Sequence, residues 1–298
     1  MASYTRAMRA AIRPGDVVLD LGAGPGVTSL IACQLGASKV YAVDPSEWLT
    51  VGKHLAKTNG FEQHIVFLKG SAVDVSLPEK VDVIISDLRG VLPLYFGHLD
   101  SLSGAIRDHL KPGGRVICEK DSIVCSPVVD ANVHKQHFSA WAPNYNGLDL
   151  GIVRRWLVGQ PSKVNLRSNQ VLCPGQNWCD IDYLSAGSSL VFDRELSWVA
   201  SESQVVVGLA AWLDGKLYGG ARLDSSPGKQ QLIYGQMYFP VLAGIAICAG
   251  MTLKVRLKAR FVDQNYLWKW QLSVVDAGGS IVETVCHSEF EGFPIGLG

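Results

Sequence analysis

The sequence has no apolar run approaching the roughly 18 residues of a membrane-spanning helix. Its opening stretch, MASYTRAMRAAIRPGD, holds no uninterrupted apolar core of signal-peptide length. Neither a membrane span nor a secretory leader is therefore expected, and the cytoplasm is the expected compartment. An excess of charge is missing too, since Lys plus Arg and Asp plus Glu each number 27. Without a global field, neither nucleic acid nor an acidic membrane is an indicated partner, and any charged ligand has to be recognised locally. Seven cysteines, at 33, 118, 125, 173, 179, 248 and 286, include no CxxC pair. That argues against a disulfide framework or a zinc site and for reduced, mostly buried thiols. His134 and His137 stand three apart but lack the further ligands a zinc site needs, so no metal is expected. Internal repeats and low-complexity linkers are absent as well.

What is present divides into two textures. With 298 residues, 48% of them hydrophobic and 18% charged, the chain has enough apolar material for two cores. From Asp16 to Asp121, strand-like runs alternate with helix-length segments: VVLDLG, KVYAVD, HIVFLKG, VDVIISD and GRVICE. That alternation predicts βαβ units and a parallel, Rossmann-like α/β sheet. After Ser122 the stretches become short and rich in Val, Leu and Trp, as in TLKVRLKARFV and YLWKWQLSVV, which predicts an antiparallel, barrel-like β domain. The boundary is expected just before Pro127, giving domains over 1–121 and 122–298, with helices confined to the first and its edges. Asp214-Gly215 reads as a two-residue hairpin turn, and Ala277-Gly278-Gly279 as another turn.

The first strand runs into Gly22-Ala23-Gly24-Pro25-Gly26 and then a helix-like segment, so the glycines occupy a strand-to-helix turn where backbone can approach a ligand. Asp44 ends the second strand about twenty residues on, where a carboxylate can accept from both hydroxyls of a ribose. This much would also suit a nicotinamide dinucleotide. Three details favour S-adenosylmethionine: Asp20 inside the first strand, a GxGxG turn in place of GxGxxG, and a fourth strand ending in another acid, Asp87.

Together, VVLDLGAGPGVTSLIACQLGASKVYAVDPSE, LPEKVDVIISD and LKPGGRV resemble the protein arginine methyltransferases over roughly residues 5–121. The β-rich remainder is consistent with the barrel that follows in that family. The resemblance implies S-adenosylmethionine as cofactor, with S-adenosylhomocysteine as product. It implies that Asp20, the Gly22, Gly24 and Gly26 backbone and Ala23 hold the methionine moiety, and Asp44 with Pro45 the ribose. Ser71, Ala72 and the residues to Asp74 would lie beside adenine, and Asp87 would border both ligands. The sequence departs from the family in three places here. The acid usual beside adenine falls on Val73, the arginine that pairs with the cofactor carboxylate falls on Tyr4, with Arg6 or Arg9 as substitutes, and most of the N-terminal helical lid is missing.

Methyl transfer from a sulfonium is an in-line displacement, so the protein mainly positions the acceptor. A guanidinium is protonated and delocalised, and two carboxylates that grip its fork localise the charge away from the reacting nitrogen. The family carries a pair of glutamates nine residues apart for this purpose. Here they fall on Asp87, one methylene shorter, and on Phe96, which is apolar. The family's Thr-His-Trp loop falls on Leu232-Ile233-Tyr234, without its histidine. Arg89 either pairs with Asp87 or offers a fork to an acidic acceptor, and Tyr95, Phe96, His98 and Tyr234 supply aromatic surface.

The expectation is a two-domain S-adenosylmethionine-dependent methyltransferase with an altered acceptor pocket. Asp87, Arg89 and Tyr234 are its candidate catalytic residues, acting on nitrogen or oxygen of a peptide or small molecule. One alternative keeps arginine as acceptor, with a second carboxylate such as Asp100 or Glu119. Another is a cofactor-binding scaffold that acts through its β domain. A homodimer is compatible with the sequence.

Overall fold

A computed structural model describes residues 1–71, 75–141, 146–172, 174–185 and 191–289. The chain divides into two compact units. The first comprises Met1–Asp121 with Ile181–Ser188 and Gly215–Leu223; the second comprises Ser122–Asp180, Ser189–Asp214 and Asp224–Gly298.

The first unit begins with α1 (Ala2–Ala11), whose buried face of Tyr4, Ala7, Met8 and Ala11 follows the spacing of three and four that one side of a helix requires. The following elements alternate: β1 (Val17–Leu21), α2 (Val27–Gln34), β2 (Lys39–Asp44), α3 (Trp48–Thr58), β3 (Ile65–Lys69), β4 (Val81–Ser86), α4 (His98–His109) and β5 (Leu110–Val116). The strands pair parallel in the order β3-β2-β1-β4-β5. Central strands β1, β2 and β4 are almost continuously buried, the pattern of a parallel sheet covered on both faces. Strand order reverses between β1 and β4. At such a reversal open α/β sheets bind ligands beyond the carboxyl ends of the strands, and both the glycine turn after β1 and the loop after β4 start there.

The later elements are β6 (Cys118–Val128), α5 (Ala131–Phe138), α6 (Gly151–Leu157), β7 (Ser162–Val164), β8 (Gln176–Asp182), β9 (Val191–Val199), β10 (Gln204–Leu217), β11 (Arg222–Asp224), β12 (Gln236–Ile247), β13 (Thr252–Val262), β14 (Asn265–Val275) and β15 (Ile281–Ser288). One sheet has the order β7-β12-β10-β6-β8, with β11 against β10; its β10–β12 and β12–β7 pairs are antiparallel. The other, β15-β14-β13-β9, is antiparallel throughout. Aromatic rings fill the second unit between strands of both sheets. Phe239 lies 5.2 Å from Trp268 and 5.3 Å from Trp270, and Trp178 lies 5.6 Å from Trp268. Their buried indole N–H groups find carbonyls: Trp270 donates to Pro240 at 2.7 Å and Trp178 to Leu257 at 3.0 Å.

Three local readings are settled by these elements. Asp214-Gly215 is not a turn but lies inside β10. The glycine is needed there for another reason, since a Cβ at Gly215 would sit 2.7 Å from the Asp121 carboxylate. The two-residue hairpin is instead Asp263-Gln264, with φ of 46° and 67°, the left-handed pair such a turn needs, joining β13 to β14 where Val262 pairs with Asn265. Ala277-Gly278-Gly279 does turn, between β14 and β15, with Gly279 at φ 85°. Helices are not confined to the first unit: α5 and α6 belong to the second. The start of α5 has a plain local cause, the Asp130 carboxylate accepting from the Asn132 N–H as an N-cap. Among the described residues no helix is long and apolar enough to cross a membrane.

Trp270 is fully buried and hydrogen-bonded, so Trp270→Ala is expected to lower unfolding free energy by about 3–5 kcal/mol. Val199→Ala, at an exposed position of β9, is expected to change it by less than about 0.5 kcal/mol. Urea denaturation followed by tryptophan fluorescence and circular dichroism measures both.

Candidate functional site

The glycine turn is held to the end of β2 by backbone bonds: Gly22 and Ala23 N–H groups donate to the Val43 carbonyl at 2.9 and 3.1 Å. Gly22 adopts φ 70° and is covered closely, since a Cβ there would sit 2.2 Å from Leu88. Gly24, at φ 52°, is different: among the described residues nothing lies within 4 Å of the place a Cβ would take, so its backbone is open on that side.

Two carboxylates flank this turn. Asp20, in β1, accepts from Thr28 Oγ1 at 2.7 Å and Ser29 Oγ at 2.6 Å, both at the start of α2. Burial raises its pKa to about 6, with the two hydroxyls opposing the shift. Asp44 accepts from the Gly24 N–H at 2.8 Å on one oxygen, and from the Ser46 N–H at 2.8 Å and the Ser46 hydroxyl on the other. A carboxylate has about four acceptor sites. Three are used inside the protein, and Asp44 itself is 9% exposed. Pro45 follows directly. Ser71 lies just past β3, whereas Ala72, Val73 and Asp74 lie outside the described residues.

The loop after β4 carries the second set. Asp87 is partly exposed, with 34% of its side chain accessible. Its Oδ1 lies 3.2 Å from Arg89 Nη1. Arg89 does not point outward: it is 1% exposed, and every nitrogen of its fork is bonded. Nε donates to Asp121 Oδ2 at 2.7 Å, Nη1 to the Tyr4 hydroxyl as well as to Asp87, and Nη2 to Cys118 Sγ. Burial alone would lower the pKa of Arg89, but the neighbouring Asp121 carboxylate overrides it and holds the cation well above its ordinary range. Asp121, 0% exposed, also accepts from the Tyr183 hydroxyl at 2.6 Å, and Tyr4 donates to the Ser86 carbonyl at 2.8 Å.

His98, at the start of α4, meets Tyr183 through Nε2 at 3.2 Å, while its buried Nδ1 has no hydrogen-bond partner among the described residues. Burial, helped by Arg89, lowers its pKa to about 3, so this imidazole is neutral. Phe96, where the family resemblance asks for an acid, is 56% exposed at φ 30°, and its ring meets Tyr95 edge-on at 4.5 Å. Of the two acids considered as a second carboxylate, Glu119 is bound by Lys216 at 2.8 Å, and Asp100 lies in the first turn of α4.

Tyr234 is buried and belongs to the second unit, as do Leu232 and the exposed Ile233. His134 and His137 are held by protein groups: His134 Nε2 lies 2.9 Å from the Val241 carbonyl, and His137 Nδ1 lies 3.0 Å from Ser162 Oγ. Of the residues singled out in the sequence, the first unit gathers Asp20, the glycines, Asp44, Asp87 and Arg89 at or beside one sheet edge. Sequence reasoning did not find Asp121, Cys118 or Tyr183, the groups that hold Arg89. The one available signal was an acid at the end of the apolar run GRVICEKD.

A parallel sheet ordered β3-β2-β1-β4-β5, a GxGxG turn after its first strand and an acid ending its second define a class I S-adenosylmethionine-dependent methyltransferase domain. The comparisons with known proteins sharpen this. Residues 5–119 match the family model of ribosomal protein L11 methyltransferase (PrmA). The chain is 30% identical over 249 residues to probable protein arginine N-methyltransferase 1.2 of Arabidopsis thaliana, covering 80% of this chain and 68% of that one. It is also 30% identical to protein arginine N-methyltransferase 1.1 of the same plant, covering 81% and 65%. It thus spans about two thirds of the length of these relatives. Solved structures share the fold. The Trypanosoma brucei PRMT1 enzyme–prozyme heterotetrameric complex with AdoHcy superposes with a TM-score of 0.82 at 24% identity, over 96% of this chain and 93% of that one. Protein arginine methyltransferase 10 of Arabidopsis thaliana gives 0.80 at 23%, over 97% and 93%. The chain belongs to the protein arginine N-methyltransferase family.

Asp20 supplies a pH test of the turn. Its folded pKa of about 6 lies above the ordinary 3.8, so the folded state binds the proton more tightly. The stability this contributes is fully present below about 3.8 and is lost as pH rises through about 6. Asp20→Asn is expected to remove that decline, a gain of up to about 3 kcal/mol at neutral pH offset by weaker bonds to Thr28 and Ser29. Denaturation midpoints of the two proteins compared at about pH 4 and about pH 7 check this, and parallel pH profiles would refute it.

Proposed function

We propose that this protein transfers the methyl group of S-adenosylmethionine to an arginine side chain of a protein, and that its acceptor loop grips the guanidinium with one carboxylate, Asp87. Family membership supports an arginine acceptor over a small molecule, since the relatives are named as protein arginine N-methyltransferases. The observation that carries the reading is the position of Asp87. It directly follows β4 at the carboxyl edge that also bears the glycine turn, and its carboxylate is partly exposed.

The residues around the turn fit the cofactor. The open backbone at Gly24 admits close approach, Asp44 retains acceptor capacity for a ribose hydroxyl, and buried Asp20 lies at the turn beside the methionine end. Bound there, S-adenosylmethionine supplies a methyl group on a sulfonium. Asp87 accepts N–H bonds from the guanidinium and draws positive charge toward itself, which leaves electron density on the nitrogen turned to the methyl group. Tyr95 and Phe96 offer exposed apolar surface on which a bound peptide would exclude water and strengthen the ionic contact to Asp87. Arg89 is no ligand for an acidic acceptor in this reading, because its fork is spent inside the protein.

A second reading is favoured by the Arg89–Asp87 contact and by Phe96 at the place of the second acid. In it, the chain binds cofactor and serves as the partner of a catalytically active relative, as the words enzyme and prozyme describe for the trypanosome complex.

Asp44→Ala is expected to weaken S-adenosylhomocysteine binding about tenfold or more, by loss of hydrogen bonds to a charged group worth about 1.5–3 kcal/mol. It is also expected to lower the melting temperature, because Gly24 N–H loses its acceptor. Calorimetry that finds equal affinity would remove Asp44 from the cofactor site. Mass spectrometry of arginine-rich peptides incubated with the protein tests the acceptor. Methylarginine formed by the protein alone supports the first reading, and Asp87→Ala should abolish it with little change in cofactor affinity. Methylarginine formed only when an active relative is added, and faster than by that relative alone, supports the second.

A further inference from the structure

Arg89 presents the chemistry of the acceptor itself. A guanidinium is held in the first unit by carboxylates from two segments, Asp87 after β4 and Asp121 in β6, with a tyrosine hydroxyl from α1 and a thiol completing its fork. Such a grip is what an arginine substrate would require from this loop. It is already made with an arginine of the chain.

Net stability alone does not call for the arrangement. A buried Arg–Asp pair is on average no more stabilising than apolar residues of the same volume, because desolvation costs about as much as the attraction returns. What the pair does change is the field at Asp87. A fixed, fully buried cation stands 3.2 Å from one oxygen of the only acid in the loop, takes one of its acceptor sites and lowers its attraction for a second cation. Asp121 cannot replace it as a grip, since it is fully buried and already accepts from Arg89 and Tyr183. The network is also anchored away from the loop. Tyr4 ties it to the Ser86 carbonyl and Tyr183 ties it to His98, so the orientation of Asp87 is fixed from both ends of the loop.

We propose that Arg89 is a specificity-determining and positioning residue, a built-in guanidinium that occupies the carboxylate grip of the acceptor loop and weakens its selection of a cationic acceptor over a neutral one. This rests on the reading that the acceptor is a guanidinium. Arg89 touches neither cofactor nor acceptor in this role; it acts through Asp87.

The test replaces the buried pair as a pair. Arg89→Met with Asp121→Asn removes both buried charges, keeps the volume close, and leaves an oxygen at 121 to accept from Tyr183. In the S-adenosylhomocysteine complex, calorimetry compares an arginine-rich peptide with the same peptide carrying citrulline, a neutral isostere, in the wild-type and double-variant proteins. The double variant is expected to raise the preference for arginine over citrulline about tenfold, the worth of one charge-assisted hydrogen bond, with S-adenosylhomocysteine affinity within about twofold of wild type. Arg89→Lys keeps the charge but has no fork to span both acids, and is expected to fall between the two. In turnover, the gain should appear in KM for the peptide more than in kcat.

An unchanged arginine-to-citrulline ratio in a double variant that still binds S-adenosylhomocysteine would overturn the proposal. If the double variant does not fold, Arg89→Lys decides: an unchanged ratio there overturns the proposal, and a raised one supports it. A raised ratio with no methylarginine from any of the proteins would uphold Arg89 as the determinant while overturning the catalytic reading. Methylarginine formed with an unchanged ratio would do the reverse.

Discussion

The first unit depends on a cation that cannot leave. An arginine at 1% exposure keeps its charge only because each nitrogen of its fork has a partner and a fully buried carboxylate stands 2.7 Å away. Those partners come from α1, from β6 and from the loop after β4, and through Tyr183 from residues 181–188. The ion pair therefore ties sequence-distant segments to one point. Breaking it on one side strands a buried charge, which is far more costly than removing both sides. Its consequence for chemistry is electrostatic: the only exposed carboxylate of the acceptor loop stands next to a permanent positive charge.

The cofactor end of the unit follows a different logic, in which room and backbone matter more than charge. Gly22 sits at φ 70°, which favours glycine, with the Leu88 side chain packed over it, whereas Gly24 is open among the described residues. Leu88 stands between Asp87 and Arg89 in sequence. The loop after β4 is thus packed directly on the glycine turn, and a change in one is felt by the other. Asp44 couples to the same turn through the Gly24 N–H, so its carboxylate shapes the backbone that the proposed cofactor would approach.

Much of this was legible beforehand, for identifiable reasons. Continuous apolar runs bounded by turns give away a parallel sheet, so β1 to β5 and the turn between β1 and α2 could be read from 17–26, 39–44 and 81–86. The resemblance to the arginine methyltransferases pointed to Asp87 and, with its departure, Phe96 as candidate acceptor positions. Other features could not be read. Asp214-Gly215 has the composition of a hairpin, but the glycine answers to the Asp121 carboxylate, a contact between residues far apart in sequence. The true two-residue turn, Asp263-Gln264, lacks glycine altogether, and its left-handed backbone is imposed by the registered strands on either side. Arg89 was visible as a charge beside Asp87. That it turns inward was not, because Asp121, Cys118 and Tyr183 share no periodicity with it.

The two readings of function differ in how much one carboxylate can do. A guanidinium gripped by two acids has its charge drawn to one side by both; gripped by Asp87 alone, beside Arg89, it keeps more of that charge on the nitrogen that must attack. Transfer to arginine then has to draw more on alignment and on exclusion of water than on charge localisation. The exposed Tyr95–Phe96 pair is suited to that, provided a peptide covers it. If no peptide does, the same features describe a subunit that keeps its cofactor turn, because the fold is packed on it, and has let the acceptor grip close on its own arginine. The network around Arg89 is common to both cases, and it sets how weakly this loop attracts a second guanidinium.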